Sequence, residues 1–246
     1  MQAKPLILLT NDDGISSPFI SKMKTVLQDF ARVVVVVPDS DMSGTSQSIS
    51  VNREVTFYKL AEDVVTVSGT PADCVKLALK LFAPDYCISG INIGPNLGCD
   101  VLYSGTVAAA FEASKNGVAA LALSCDSFDV INYDTCLHYM RFFIDKMHAS
   151  DVLNDFILNI NIPDLPLSGI KGIKVTHSGR RLPSAPVVIK EDGNGNSSFR
   201  LGEIGGPSGY NEESDFFALK DNYVSVTPLK IDMTALSEIQ NVKDLI

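Results

Sequence analysis

Residues 6–14 read Leu6-Ile7-Leu8-Leu9-Thr10-Asn11-Asp12-Asp13-Gly14, an unbroken apolar run that stops in a cluster of polar turn residues. A continuous run, rather than an alternating one, marks a strand buried on both faces. Helical spacing follows over Pro18 to Phe30, with Ile20, Met23, Val26, Leu27 and Phe30 recurring on one side. Five valines, Val33 to Val37, then lead to Pro38. β-Branched runs of that length favour a second buried strand. Strand, helix and strand in one unit predict a right-handed crossover and a parallel sheet. The alternation continues with strands over Val64–Val67, Tyr86–Ser89, Ala119–Ser124 and Phe156–Ile160, the last ending at Asn161-Ile162-Pro163. Helices are expected over Ala72–Leu81, Thr106–Lys115 and Asp134–Met147. The pattern predicts an α/β fold with a doubly wound, mostly parallel sheet, which binds ligands beyond the carboxyl ends of its strands.

The character changes near residue 170. Segments 172–177, 186–190 and 197–201 read as short strands joined by turns such as 191–195. The stretch from Gly202 to Ser214 reads as a loop, and Tyr223–Thr227 as a strand stopped by Pro228. We expect one domain over 1–246, with an α/β core over 1–170 and a β-rich, hairpin-bearing extension over 171–246. An exposed hairpin buries little by itself, so packing on a partner subunit is expected.

The chain has 246 residues, 46% of them apolar, which is too many for a mainly disordered protein. Its 20 Lys and Arg against 29 Asp and Glu leave a formal charge of −9. That balance argues against long nucleic acids as partners, since phosphate backbones attract basic surfaces. It does not exclude a small anion held by backbone amides or by a cation. The five cysteines form no CxxC pair, and an odd number suits a reducing compartment. Cys74, Cys87 and Cys125 stand among apolar neighbours and read as buried thiols. No run is long enough for a signal h-region or a membrane span, so the expected location is the cytoplasm.

Three polar segments follow strands and so converge on one edge. In the first, Asp12 and Asp13 sit directly after strand one, where adjacent carboxylates repel and a hard cation with oxygen ligands offsets the cost. Turn chemistry alone accounts for Asn and Asp there; the place at a strand's carboxyl end favours a site. The second, Pro38-Asp39-Ser40-Asp41-Met42-Ser43-Gly44-Thr45-Ser46-Gln47-Ser48, is dense in hydroxyls and by itself reads as a flexible loop. The third, Ser89 to Asp100, is rich in Gly and Asn and leads through Tyr103-Ser104-Gly105-Thr106 into a helix. Helix N-terminal amides with hydroxyls beside them bind anions, and Ser104 or Thr106 also serves as an N-cap. Asn92 offers a carbonyl oxygen to a cation, and Asn96 an amide donor to a phosphoryl oxygen. Thr70 reads as an N-cap before Pro71, with Gly69 and Thr70 as possible lining. The three histidines, His138, His148 and His177, adjoin none of these segments in sequence, which disfavours phosphohistidine chemistry and a His-rich zinc site. GxGxxG and Walker patterns are absent in proper form. No CxxxxxR loop is present, with Cys99 the one thiol close to the third segment. Two carboxylates, neutral oxygens and an anion cradle suit metal-assisted hydrolysis of a phosphate ester.

The segments LLTNDDGISSPF, VVVPDSDMSGTSQSIS, SGTPADCVKLAL, SGINIGPNLGCDVLYSGTVAAAFEA and NYVSVTPLKIDMTAL, in this order, resemble the survival-protein SurE family of metal-dependent nucleotidases. The resemblance implies one divalent cation, magnesium or manganese, held by Asp12, Asp13, Ser43 and Asn92. With the loop and helix-start chemistry above, we expect a phosphate site lined by Asn92, Asn96, Ser104, Gly105 and Thr106, with Asp12, Asp13 and Asn96 as catalytic residues. The implied activity is release of phosphate from nucleoside 5′- and 3′-monophosphates, with short polyphosphate cut by some members. The implied fold is a Rossmann-like core with a β-hairpin extension and a C-terminal segment exchanged in a homodimer or homotetramer. Many members carry His ahead of the SGT triplet where this chain has Tyr103, and Gly98-Cys99-Asp100 replaces an acidic pair found in some. The attacking oxygen is left open between an Asp carboxylate and a water. The rival readings are a nucleotide sensor without turnover on the same fold and a dinucleotide-linked oxidoreductase, which the acidic pair in place of a Gly-rich turn opposes.

Overall fold

In the computed structural model, residues 4–149, 156–192, 195–209 and 211–246 are described. Strands β1 (Leu6–Thr10), β2 (Arg32–Pro38), β4 (Val64–Val67), β5 (Tyr86–Ile93), β6 (Ala119–Asp126) and β7 (Ile157–Pro163) run parallel. Helices α1 (Pro18–Leu27), α2 (Pro71–Phe82), α3 (Gly105–Lys115) and α4 (Tyr133–His148) connect them. With β3 (Phe57–Ala61), β8 (Gly172–Val175) and β11 (Tyr223–Leu229) they form a nine-stranded sheet in the order β3-β4-β2-β1-β5-β6-β7-β11-β8. The expected doubly wound, mostly parallel sheet is present.

Alternate residues of the apolar runs supply two cores. Ile7, Leu9, Val33, Val35 and Val37 face α1 and α4, packing on Phe19, Met23, Met140 and Ile144. Leu6, Leu8, Val34 and Val36 face α2 and α3, packing on Cys74, Val75, Val107 and Ala110. Each Val, Leu, Ile, Phe or Met among them contributes about 1.5–3 kcal/mol on burial. Helix α3 is buried from Gly105 to Ala113, and its run of small residues lets it lie close on the sheet. That closeness sets its N-terminus against the end of β1.

Three expectations change. Strand β3 pairs antiparallel with β4 and was not read, because every residue of Phe57–Ala61 is exposed and an edge strand of that kind shows no burial period. The boundary near residue 170 does not divide core from extension. β11 pairs antiparallel with β7, and β8 pairs parallel with β11, so both complete the main sheet. Only β9 (Val188–Glu191) and β10 (Ser197–Arg200) form a separate hairpin. Its expected turn includes Gly193 and Asn194, which lie outside the described residues, as does Tyr210 within the loop 202–214. Third, β7 continues through Asn159 and Asn161, both fully buried, to Pro163. Short helices α5 (Asp215–Lys220) and α6 (Ile239–Leu245) complete the chain.

Helix α2 begins with the expected Thr70 cap, in a full capping box. Thr70 Oγ1 accepts from the Asp73 amide at 3.3 Å, and Asp73 Oδ2 accepts from the Thr70 amide at 3.0 Å. Asp73 also accepts from the amide of Ser50 at 3.0 Å and its hydroxyl at 2.7 Å, tying the second polar loop to the helix. Burial pushes this carboxyl's pKa upward, but the bonds from Ser50 and Thr70 outweigh it and hold the pKa below the usual value. A lowered folded-state pKa stabilises above the unfolded value and stops doing so as pH falls through the folded one. Asp73→Ala is therefore expected to lose about 1–2 kcal/mol at pH 7. Urea titrations should show the gap to wild type closing as the pH drops through the carboxylate range; a pH-independent gap would contradict this account.

Candidate active site

β1 ends at Thr10, and the chain turns at once through Asn11-Asp12-Asp13-Gly14. Asn11 folds this turn: its Nδ2 donates to Gly14 O at 3.0 Å and its Oδ1 accepts from Gly14 N at 3.2 Å. Gly14 has φ +81°, the left-handed region that glycine enters without a Cβ penalty. The second loop, leaving β2, lies against the first, with the Met42 amide donating to Asp12 O at 2.8 Å. It meets the third loop where the Ser46 amide donates to Tyr103 O at 3.0 Å. The three segments thus converge, as expected from their places at carboxyl ends.

The centre is Asp12, which is 4% exposed. Its Oδ1 accepts a short hydrogen bond from the Thr106 hydroxyl, in the first turn of α3. Gly105 faces the same carboxylate so closely that a Cβ there would lie 2.8 Å from Asp12 Cβ. Burial raises the pKa of Asp12, with the Thr106 bond opposing and the Asp41 charge adding to the rise. Asp13 is half-buried and its pKa is pushed up to about 7, by burial and by the charge of Asp12, against a lowering bond from the Ile93 amide. Asp13 Oδ2 is buried without a hydrogen-bond partner. Among the described residues neither Asp forms an ion pair with Lys, Arg or His.

These features test whether a cation fits. An orphaned carboxylate oxygen beside a second buried carboxylate is a donor set for a hard cation. Among the described residues no three His, Cys, Asp or Glu side chains form a metal cage, so neutral oxygens must complete the set. Asn92 is placed for this: it follows Ser89 across a bulge in β5 and neighbours Ile93, whose amide reaches Asp13. Its Nδ2 donates to Gly94 O at 2.7 Å, leaving Oδ1 as the end of the amide available to a cation. Ser43 is exposed, and both its amide and hydroxyl donate to Asp41 Oδ1, at 2.8 and 2.6 Å. The residues present fit a divalent cation.

The remaining candidates divide. Ser104 caps α3, its Oγ accepting from the Val107 amide at 3.1 Å, a role that uses a lone pair and not the O–H donor. Gly105 and Thr106 lie against Asp12. Asn96 is not bonded to either Asp; its Nδ2 donates to Ser124 Oγ at 2.8 Å. Ser124 is the register partner of Asn92 on the neighbouring strand, so the Asn96 side chain is held one strand from Asn92 and two strand positions from β1, which carries the Asp pair. Sequence reasoning missed Asp41, whose charge bears on both Asp12 and Asp13. It also missed Asn159 and Asn161, whose signal was two amides inside an apolar strand. His177, distant in sequence, lies near Asp215 and lines a cleft of about 320 Å³ with Arg180, Ser208 and Phe216. Asp215 in turn accepts from the Gly98 amide at 2.7 Å, so this histidine comes close to the third loop after all. Among the buried free thiols are the expected Cys74, Cys87 and Cys125; Cys99 is exposed.

A mostly parallel sheet of this order, with helices on both faces and polar loops beyond its strand ends, defines a Rossmann-like α/β protein. The family profile described as Survival protein SurE matches residues 7–185. A 5′/3′-nucleotidase SurE from Citrobacter koseri is 43% identical over 242 residues, covering 97% of this chain and 95% of that protein. One of the same name from Escherichia coli O127:H6 is 44% identical over the same shares. The crystal structure of the SurE protein from Aquifex aeolicus superposes with a TM-score of 0.87 at 37% identity, covering 98% of this chain and 99% of that one. The chain belongs to the SurE family.

Proposed function

We propose that this chain is a divalent-cation-dependent phosphatase that releases phosphate from nucleoside 5′- and 3′-monophosphates. The observation that carries the reading is the buried Asp12–Asp13 pair with its orphaned oxygen, set against the N-terminus of α3. The relatives, named as 5′/3′-nucleotidases, supply the substrate class. Asp12, Asp13, Ser43 and Asn92 would hold magnesium or manganese. When bound, such an ion supplies positive charge at the phosphoryl oxygens.

The protein's own groups do the rest. The amides of Gly105 and Thr106 open α3, whose dipole places partial positive charge where phosphoryl oxygens gather. The Thr106 hydroxyl holds Asp12 in one orientation. Asn96 presents the amide hydrogen not used by Ser124 to the substrate. The carboxylate pair, or a water it orients, supplies the attacking oxygen. Tyr103 is exposed and stands where many members of the family carry histidine, so an imidazole does not donate a proton from this position.

Phosphate release from a panel of nucleoside monophosphates should vanish in EDTA and return with added Mg²⁺ or Mn²⁺. Undiminished release in EDTA would refute cation dependence, and nucleotide binding without release at any pH or metal would establish a sensor instead. The proposal extends to assembly as a homodimer or homotetramer, supported by exposed apolar side chains on the hairpin and C-terminal segment, among them Phe199, Leu236 and Leu245. It also places the protein in the cytoplasm; among the described residues no helix is long and apolar enough to cross a membrane.

A further inference from the structure

The third loop is fastened by side chains that the proposed chemistry does not use. Every backbone group of Asn96 is taken by β7. Its amide donates to Asn161 Oδ1 at 2.8 Å. Its carbonyl accepts from Asn159 Nδ2 at 2.8 Å and from Asn161 Nδ2 at 3.1 Å. Its side-chain Nδ2 donates to Ser124 Oγ on β6 at 2.8 Å. Asn159, Asn161 and Ser124 are all fully buried.

Buried polar side chains on β6 and β7 are costly unless hydrogen-bonded, and Asn159 Oδ1 is left without a partner; a hydrophobic strand would form without them. They do not pair with one another for packing; the bonds they make converge on a single residue. With its backbone held from both sides and one amide hydrogen committed, Asn96 keeps only the second amide hydrogen and Oδ1 for a ligand. Its side chain is thereby fixed one strand away from Asn92, whose neighbour Ile93 reaches Asp13. Preorganisation of this kind lets a neutral donor stabilise developing charge without reorienting first.

We propose that Asn161, with Asn159 and Ser124, is a positioning residue that aims the Asn96 amide at the phosphoryl group. The inference rests on the phosphatase reading above and adds the residues that set its geometry. A displacement near 1 Å at a reacting group costs on the order of 10²-fold in rate.

The test is a double-mutant cycle read as kcat and KM for a nucleoside monophosphate with saturating Mn²⁺, each variant checked by near-UV circular dichroism. Asn161→Ala is expected to lower kcat on the order of 10²-fold in the wild-type background, and less than about threefold in the Asn96→Ala background, because coupled residues are not additive. Equal losses in both backgrounds, or a small loss in the first, would overturn the proposal. Should Asn161→Ala fail to fold, Ser124→Ala asks the same question more gently. It should lower kcat, and Ser124→Thr, which keeps the hydroxyl, should restore it. Failure of threonine to rescue would overturn the positioning role. A wild-type chain that releases no phosphate would refute the activity itself, and is recognised before any variant is made.

Discussion

Asp12→Asn should abolish phosphate release, with kcat/KM falling on the order of 10³-fold even in saturating Mn²⁺. The replacement keeps the size of the side chain and an oxygen for the Thr106 hydroxyl, so the fold has little to lose. What goes is the negative charge on the more buried of the two acids. Asp13→Asn should act in the same direction. Stability separates a chemical role from a structural one. Burial already disfavours ionised Asp12, so without added metal the Asn variant should melt at or above the wild-type temperature. With Mn²⁺ the order should reverse. Wild type gains about 2.7 kcal/mol at a hundredfold excess over its dissociation constant, a gain that weaker binding denies the variant. Full activity of both Asn variants in saturating Mn²⁺ would remove the carboxylate pair from the mechanism.

Gly105→Ala should cost on the order of 10²-fold in kcat/KM while leaving the protein folded. On helix propensity alone, alanine would be favoured over glycine by about 1 kcal/mol. The space is already filled, however: the new Cβ would lie 2.8 Å from Asp12 Cβ, 3.0 Å from Pro71 Cγ and 3.1 Å from Asp12 Oδ2. Two of those three atoms belong to the proposed cation ligand. Either the start of α3 lifts away from the carboxylate or Asp12 turns out of place, and both separate the helix N-terminus from the charge it faces. Wild-type kinetics in this variant would show that the contact between helix and carboxylate is dispensable.

Much of this site was legible in the chain. Asp12 and Asp13 stand out as candidates because a buried strand ending in two acids is a local pattern, read within nine residues. Thr70 and Ser104 were found as caps for the same reason, and the structure shows both acting so. Asn96 was legible as a polar residue in a Gly-rich loop, but not its attachment to Asn161, which is 65 positions away. Asp41 stood in plain view within the second loop. Its bearing on Asp12 and Asp13 depends on how the loop folds back, which composition does not state.

By itself the sequence determined the parallel α/β core, the carboxyl-end placement of the polar loops and the identity of the acidic pair. Those follow from hydrophobic period and from residue type at strand ends, which are properties of neighbours in the chain. Tertiary structure alone decided that β8 and β11 extend the core sheet, since an antiparallel return can pair with any strand left at an edge. It alone decided that Asp215 reaches across 117 positions to hold Gly98, and that Thr106 meets Asp12 across 94. A hydrogen bond between distant segments is chosen by which donors and acceptors the packed sheet brings within about 3 Å of each other. The periodicity of a chain carries no record of that choice.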